Sequence, residues 1–181
     1  MSMFPTKILL ATDGSEDAKL AARTAADLAQ KTRSELHVVY VGGEGFYETP
    51  LVDLATLEPT WIAREYPDLL SDIQRTEREL LDNEVEQVEA AGGTVTQAHL
   101  SMGEAAPEIV VVAEEIDAGL IVMGSTGQGG IRRALLGSVS ESVVKHAHCA
   151  VLVVRQYAQK NSARSREQRH GAGDQDSIYA G

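Results

Sequence analysis

Short strand-like runs alternate with longer helical segments along most of this 181-residue chain. The runs are rich in Val, Ile and Leu, and they cover residues 7–12, 36–41, 94–100, 120–123 and 150–154. Apolar runs of this length, bounded by turn residues, are typical of strands buried within a sheet. Strands that alternate with helices form parallel sheets with helices on both faces. The sequence therefore predicts an α/β fold with a doubly wound, parallel, five-stranded sheet.

The segments between these runs carry helix signals. Ser15 is a predicted N-cap, and Glu16 and Asp17 follow it in the first turn, where the helix dipole favours acids. Alanines then recur at helical spacing, which indicates a helix packed closely on the sheet. Further helices are predicted over residues 68–91, from about 107 to 117, and over 138–146.

A glycine-containing loop connects the fourth strand to the last helix. It consists of Gly124, Ser125, Thr126 and Gly127, then nine residues, then Gly137, Ser138, Val139 and Ser140. Glycine has no Cβ, so the backbone can approach a ligand closely. The first N–H groups of a helix attract anions because they have no partners inside the helix. The two ends of this loop are therefore predicted to close on one phosphate group.

The loop differs from the best-known phosphate loops. It contains neither the Gly-Lys-Ser/Thr ending of a Walker A loop nor the strict Gly-x-Gly-x-x-Gly dinucleotide pattern. No lysine lies between Gly124 and Val144, and Arg132 and Arg133 are the only cations there. We expect backbone amides and hydroxyls to hold phosphate, with Arg132 as a candidate cation. The alternative is that both arginines lie on a solvated loop face.

Several of these positions also have a structural interpretation. Ser138, Val139, Ser140 and Glu141 match a capping box, in which Ser138 would accept a hydrogen bond from the Glu141 amide. That role is compatible with phosphate binding because other first-turn N–H groups stay available. Ser140 has no capping duty in this scheme and is the clearer phosphate ligand. Taken singly, the three glycines would be ordinary turn and cap residues.

Asp13 ends the first strand and is the other candidate binding residue. Its carboxylate would accept a hydrogen bond from a ribose hydroxyl or an adenine amino group, but would be a poor neighbour for phosphates unless a metal intervened. Ala11 and Thr12 precede it and would line the same wall. The alternative is that Asp13 only forms a turn.

The spaced glycines, together with residues 7–15, 37–41 and 146–154, resemble the universal stress protein family, of the ATP-binding type, over about residues 3–155. The resemblance implies strand order 3-2-1-4-5 and a Rossmann-like, adenine nucleotide alpha hydrolase-like fold. In such sheets ligands bind beyond the carboxyl ends of the strands where the order reverses, which here lies between strands 1 and 4. Asp13 and Gly124 would then meet at one crevice.

The resemblance also implies a set of contacts and partners. Asp13 would lie near the base and ribose of ATP, the backbone of Val41 against the adenine, and Met123 on the base or sugar. Mg²⁺ or Mn²⁺ would be held through phosphate oxygens rather than by protein ligands. A homodimer would form through the last strand, residues 151–154, and the protein would act as a nucleotide-dependent regulator of the stress response.

Charge and composition restrict the remaining partners. A net charge of −11 and a sequence pI of about 4.8 argue against nucleic acid and against anionic membranes. Cys149 is the single cysteine, which fits a reducing, cytoplasmic environment. The first apolar run ends at Asp13, so no signal peptide is expected, and no run approaches the ~20 residues that span a bilayer.

Two other function classes were compared with ATP binding. A slow ATPase or another nucleotide-hydrolysing enzyme of the same superfamily needs a positioned base and cations, and no histidine, glutamate or lysine lies beside the glycines. Related ATP pyrophosphatases carry Ser-Gly-Gly-x-Asp-Ser after the first strand, from which residues 12–17 depart. An interaction protein without nucleotide is the third class, and the intact glycine motif counts against it. We therefore expect binding without efficient turnover.

The domain organisation is expected to be simple. Residues 1–155 form one domain, and residues 156–181 are expected to be a disordered polar tail because they contain few apolar residues. Residues 43–65 form an irregular insert, for which a surface loop and a lid are both considered. His146, His148 and Cys149 match no standard zinc spacing, so a structural role is expected for them.

Overall fold

The computed structural model describes residues 7–42, 68–127 and 136–156. Within these residues, five strands form a single sheet in the order β3-β2-β1-β4-β5, and every strand pair is parallel. The strands are β1 Lys7–Thr12, β2 Glu35–Gly42, β3 Val95–Met102, β4 Leu120–Gly124 and β5 Ala150–Val154. The predicted fold class and strand order are both confirmed.

The described helices alternate with the strands along the chain. They are α1 Glu16–Thr32, α2 Leu69–Ala90, α3 Ala105–Glu115 and α4 Ser138–His146. Ser15 caps α1 as predicted, because its hydroxyl accepts the Ala18 N–H at 3.2 Å. The predicted helix limits agree with the structure to within one or two residues.

The capping box predicted for the last helix is wrong. Gly137, and not Ser138, is the N-cap of α4, and no side chain makes a capping hydrogen bond there. The Glu141 N–H donates to the Gly137 carbonyl at 2.9 Å. Gly137 is fixed by its own N–H, which donates to the Ser125 carbonyl at 2.7 Å. This hydrogen bond across the loop places the N-cap one residue earlier than the local sequence suggests.

Two apolar cores cover the two faces of the sheet. On one face, the buried alanines of α1 pack on Ile8 and Leu10 of β1, together with Leu81 and Val88 of α2. On the other face, α3 and α4 pack against a second buried cluster built on β1, β2 and β4. The central strand β1 is almost entirely buried, which is the usual position of a strand covered by helices on both sides.

The sheet topology creates a crevice between β1 and β4. The chain order reverses there, because β2 and β3 lie to one side of β1 while β5 lies beyond β4. Ala11 near the end of β1 is opposite Met123 near the end of β4. The loops that leave these two strands must therefore diverge, and the space between them is where open α/β sheets bind ligands.

Several predictions fall on residues outside the described ranges. They are the insert at residues 43–65, the position of Arg132 and Arg133, and the tail after residue 156. In the part of the chain that is described, no helix is both long enough and apolar enough to cross a membrane.

Adjacent leucines on α2 provide a test of the core. Leu81 is fully buried, whereas Leu80 is 42% exposed. We expect Leu81→Ala to lower the free energy of unfolding by about 2–5 kcal/mol because it removes buried methyl groups and leaves a cavity. Leu80→Ala, the matched control, should change it by about 0.5 kcal/mol or less. Urea denaturation measures both, and equal effects would contradict the assigned register of α2.

Candidate functional site

A cavity of about 600 Å³ lies beyond the carboxyl ends of β1, β2 and β4. All predicted site residues within the described ranges line it: Ala11, Thr12, Asp13, Val41, Met123, Gly124, Ser125, Gly127, Gly137, Ser138, Val139 and Ser140. Arg132 lies outside those ranges. Segments from four different parts of the sequence thus meet at one concave site of the size that small-molecule ligands occupy.

One side of the cavity is apolar. It faces α3 and α4, and its lining side chains are Val39, Val41, Ala105, Ile109, Met123 and Val139. Val39, Ile109 and Met123 belong to the buried core on this face of the sheet, so their positions are fixed by packing. This apolar slot can hold a flat hydrophobic group such as a nucleobase.

The two ends of the glycine motif are joined by hydrogen bonds. The Ser125 carbonyl accepts from the Gly137 N–H at 2.7 Å and from the Ser140 hydroxyl at 3.0 Å. The Ser140 hydroxyl also lies 3.0 Å from the Gly137 carbonyl. Ser140 was predicted to have no structural duty, but in the structure it closes the loop. Its hydroxyl must turn away from these carbonyls to donate to a phosphate.

Glycines at two positions allow close approaches of different kinds. A Cβ at Gly124 would lie 2.9 Å from backbone atoms of both Asp17 and Ala18, so β4 approaches α1 too closely for any side chain. A Cβ at Gly127 would lie 2.7 Å from Asp13 Oδ2, which is the mobile end of a side chain. Gly127 is thus the point where the glycine loop meets the Asp13 segment.

Asp13 forms the predicted turn and also lines the cavity. Its Oδ1 accepts the Ser15 N–H at 3.0 Å, which forms the turn between β1 and α1, and Gly14 takes a positive φ of 75° in this turn. The same side chain lines the cavity beside Gly127. The turn therefore holds the Asp13 carboxylate at the mouth of the crevice.

Tyr40 and Glu77 complete a polar wall that the sequence did not predict. Burial, followed by the nearby Glu77 carboxylate and a hydrogen bond to it, raises the pKa of Tyr40 to about 12. A Cβ at Gly42 would lie 2.7 Å from Glu77 Oε2, so this carboxylate rests against the end of β2. Among the described residues, Glu77 Oε2 is buried without a hydrogen-bond partner. Only the folded structure brings α2 to this strand end, so no local pattern marks Glu77.

Thr12 extends the polar wall toward α2. Its hydroxyl donates to the Glu84 carboxylate, and both side chains are buried. Charges on Glu77, Glu84 and Asp13 all act on the Tyr40 hydroxyl. This part of the cavity lining is therefore negatively charged, and through Asp13 it reaches Gly127 of the glycine loop.

No lysine, arginine or histidine belongs to the described part of the cavity lining. The described residues likewise contain no group of three or more potential metal ligands. His146 lies at the end of α4, where its Nδ1 is 2.8 Å from the Ser142 carbonyl, and Cys149 is half-buried against the second core. Their contacts are those of structural residues.

The arrangement suits a ligand with three chemically distinct parts. The apolar slot accepts a flat ring. The carboxylates of the polar wall accept hydrogen bonds from hydroxyl or amino groups, and the glycine loop with the N-terminus of α4 offers N–H groups to an anion.

Three comparisons relate this chain and its fold to known proteins. The model of the universal stress protein family matches residues 5–155. Universal stress protein MJ0531 of Methanocaldococcus jannaschii is 37% identical over 149 residues, which cover 82% of this chain and 81% of that protein. The solved structure of hypothetical protein MJ0577 has a TM-score of 0.66 at 26% identity, over 85% of this chain and 98% of that one.

A more distant structure shares the fold. It is a universal stress protein solved in complex with cAMP, with a TM-score of 0.58 at 22% identity, over 84% of this chain and 98% of that one. The family match covers the described residues up to 155, and the Methanocaldococcus relative is similar over most of its own length. The chain therefore belongs to the universal stress protein family.

Proposed function

We propose that this protein binds ATP in the cavity at the β1/β4 crevice and acts as a nucleotide-dependent regulator of the stress response. One observation carries the proposal: both ends of the glycine motif, Asp13 and the apolar slot line the same cavity. These features are far apart in the sequence and each suits a different part of a nucleotide. The cAMP complex of a structural neighbour supports an adenine nucleotide as the ligand class.

Each part of the nucleotide has a matching wall. The adenine lies in the apolar slot, beside the backbone of Val41, with Met123 packed on the base or sugar. Asp13 accepts a hydrogen bond from the ribose or from the amino group of the base. The phosphates extend toward the glycine loop and the N-terminus of α4, where backbone N–H groups bind them. The negative charge of Glu77, at the end of β2, disfavours the reverse orientation.

The proposed cation, Mg²⁺ or Mn²⁺, is held by the phosphates. The first turn of α4 contributes N–H groups and the Ser138 hydroxyl to the cavity, and these fit phosphate oxygens better than a bare cation. Magnesium characteristically binds through substrate phosphates and keeps several waters, so a dedicated protein cage is not needed. We place this complex in the cytoplasm, in keeping with a single, half-buried cysteine.

Calorimetric titration with ATP and Mg²⁺ tests the binding site. Gly127→Val should weaken ATP binding at least tenfold, about 1.4 kcal/mol, because the added side chain occupies the space between the loop and Asp13. Its unfolding midpoint should stay near that of the wild type, since a Cβ there meets only a mobile carboxylate oxygen. Equal ATP affinity in wild type and variant would refute the assignment.

Steady-state ATP turnover separates the binding protein from the alternative, a slow ATPase. We expect a rate well below ~1 s⁻¹, because the described lining lacks a cation beside the loop and Asp13 lies at the base end of the proposed ligand. A faster rate that disappears in Asp13→Asn, with ATP affinity retained, would instead identify Asp13 as a catalytic base.

We also infer a homodimer through β5. This strand is at the edge of the sheet, and in the described part of the chain it pairs with β4 alone. Its side chains from Val151 to Val154 are half-buried by the two cores, so the monomer covers them only in part. An apolar edge strand has backbone groups available for pairing, and a two-fold axis would let two copies satisfy each other.

Two proline variants distinguish loss of the dimer from unfolding of the sheet. The Val154 carbonyl accepts a hydrogen bond from the Ser125 N–H, so the backbone groups of Val154 face β4. The backbone groups of successive residues in a strand face opposite sides, and the N–H of Val153 therefore points to the open edge of the sheet. Val153→Pro should abolish the dimer and keep the fold, whereas Leu152→Pro should unfold the sheet. Sedimentation should show the wild type at about twice the 19.4 kDa of one chain. A wild type that sediments only as a monomer at micromolar concentration would refute the dimer.

A further inference from the structure

Asp17 makes contacts that its position in the sequence does not suggest. It lies in the first turn of α1, where acidic residues are common because of the helix dipole. Its Oδ2 accepts from the Ser125 hydroxyl at 2.7 Å and from the Thr126 hydroxyl at 2.9 Å. Its Oδ1 accepts from the Gln156 N–H at 3.2 Å. The side chain therefore bridges α1, the glycine loop and the chain that leaves β5.

The loop residues held by Asp17 are fixed in other directions as well. Ser125 is 1% exposed, and its N–H donates to the Val154 carbonyl at 2.8 Å. The Thr126 carbonyl accepts from the Ser15 hydroxyl at 3.2 Å. The loop between Gly124 and Gly127 is thus tied on one side to the first turn of α1 and on the other to the end of β5.

The charge of Asp17 is maintained by these contacts. Burial alone raises the pKa of Asp17, but the hydroxyls of Ser125 and Thr126 and the N–H groups of Gln156 and Thr126 more than offset it, so the net pKa is lowered. The side chain is therefore ionised at neutral pH, and hydrogen bonds to an ionised acceptor are stronger than neutral ones. Because the hydroxyls turn toward Asp17, they leave the cavity side of the loop to backbone groups.

From these contacts we infer that Asp17 is a positioning residue that couples the nucleotide site to the edge strand. It holds the glycine loop in the shape that binds phosphate and connects that shape to the chain after β5. Nucleotide in the loop and a partner strand on β5 then favour the same arrangement of residues 124–127 and 154–156. By thermodynamic linkage, ATP strengthens the dimer and dimerisation strengthens ATP binding by the same factor.

The inference rests on the proposed ATP site and dimer, and the experiment separates the three. Sedimentation with and without ATP gives the dimer dissociation constant, and calorimetry gives the ATP affinity. In the wild type, saturating ATP should lower the dimer dissociation constant at least about fivefold. In Asp17→Asn the ATP affinity should fall at least tenfold. The effect of saturating ATP on the dimer should fall below twofold.

Asp27→Asn is the matched control. It removes the same charge from the same helix, where Asp27 makes only an exposed pair with Lys31 at 2.7 Å. It should retain the wild-type ATP affinity and the wild-type effect of ATP on the dimer. Unfolding followed against pH adds an independent readout. The contribution of Asp17 to the free energy of unfolding is present above the pKa of the carboxyl in the unfolded chain. It is lost as the pH falls through the lower pKa of the folded state, so the stabilities of wild type and Asp17→Asn should converge in acid.

Each outcome shows which proposal fails: the ATP site, the dimer, the coupling or the role of Asp17. If the wild type does not bind ATP, the ATP site is refuted and the coupling with it. If ATP binds but no dimer forms, the dimer and the coupling are both refuted. If a dimer forms and ATP does not change it, the coupling alone is refuted. If ATP affinity and coupling in Asp17→Asn equal those of Asp27→Asn, Asp17 has no positioning role. Should Asp17→Asn fail to fold, Thr126→Val, which removes one of the donors to Asp17, must reduce the coupling; an unchanged coupling in that variant refutes the inference.

Discussion

The close approach of β4 to the first turn of α1 is the contact on which the site depends. It exists because position 124 has no side chain, so the strand end lies against the backbone of Asp17 and Ala18. At this distance the Asp17 carboxylate reaches Ser125 and fixes the start of the glycine loop. A larger residue at 124 would separate the two elements and remove the loop's support.

The rest of the site follows from how the sheet is built. Parallel strands place all their carboxyl ends on one edge, and the reversal of order between β1 and β4 opens a crevice there. The apolar slot is an extension of the core beneath α3 and α4, so its shape is set by packing rather than by loops. Loop residues then need to supply only N–H groups and a few acceptors. Because packing sets the shape of the slot and the loops supply only the polar groups, a small number of polar residues can suffice for a specific site.

The charges that line the cavity act locally, within a protein that is acidic as a whole. The chain carries a net charge of −11, so an anionic ligand is attracted only by local fields. The glycine loop and the N-terminus of α4 provide one such field, while Glu77 and the neutral Tyr40 form a polar wall and Asp13 lies beside Gly127. Burial of Glu77 Oε2 without a partner among the described residues adds an acceptor on that wall. The cavity therefore offers both hydrogen-bond acceptors and N–H donors within an acidic protein.

The sequence by itself determined the fold class, the strands and helices, the Ser15 cap and the residues of the glycine loop, because these depend on local periodicity and on residues with restricted conformations. Tertiary structure decided the rest. Gly137 became the cap of α4 because its N–H binds the Ser125 carbonyl, which is remote in sequence. In the sequence, Asp17 is an ordinary first-turn acid and Glu77 is one of many charged residues on α2. Packing brings them to the ends of β4 and β2, respectively, and so gives them contacts that the sequence did not predict. Local sequence encodes backbone preference, whereas the partners of a polar side chain are set by which strand ends the topology brings together.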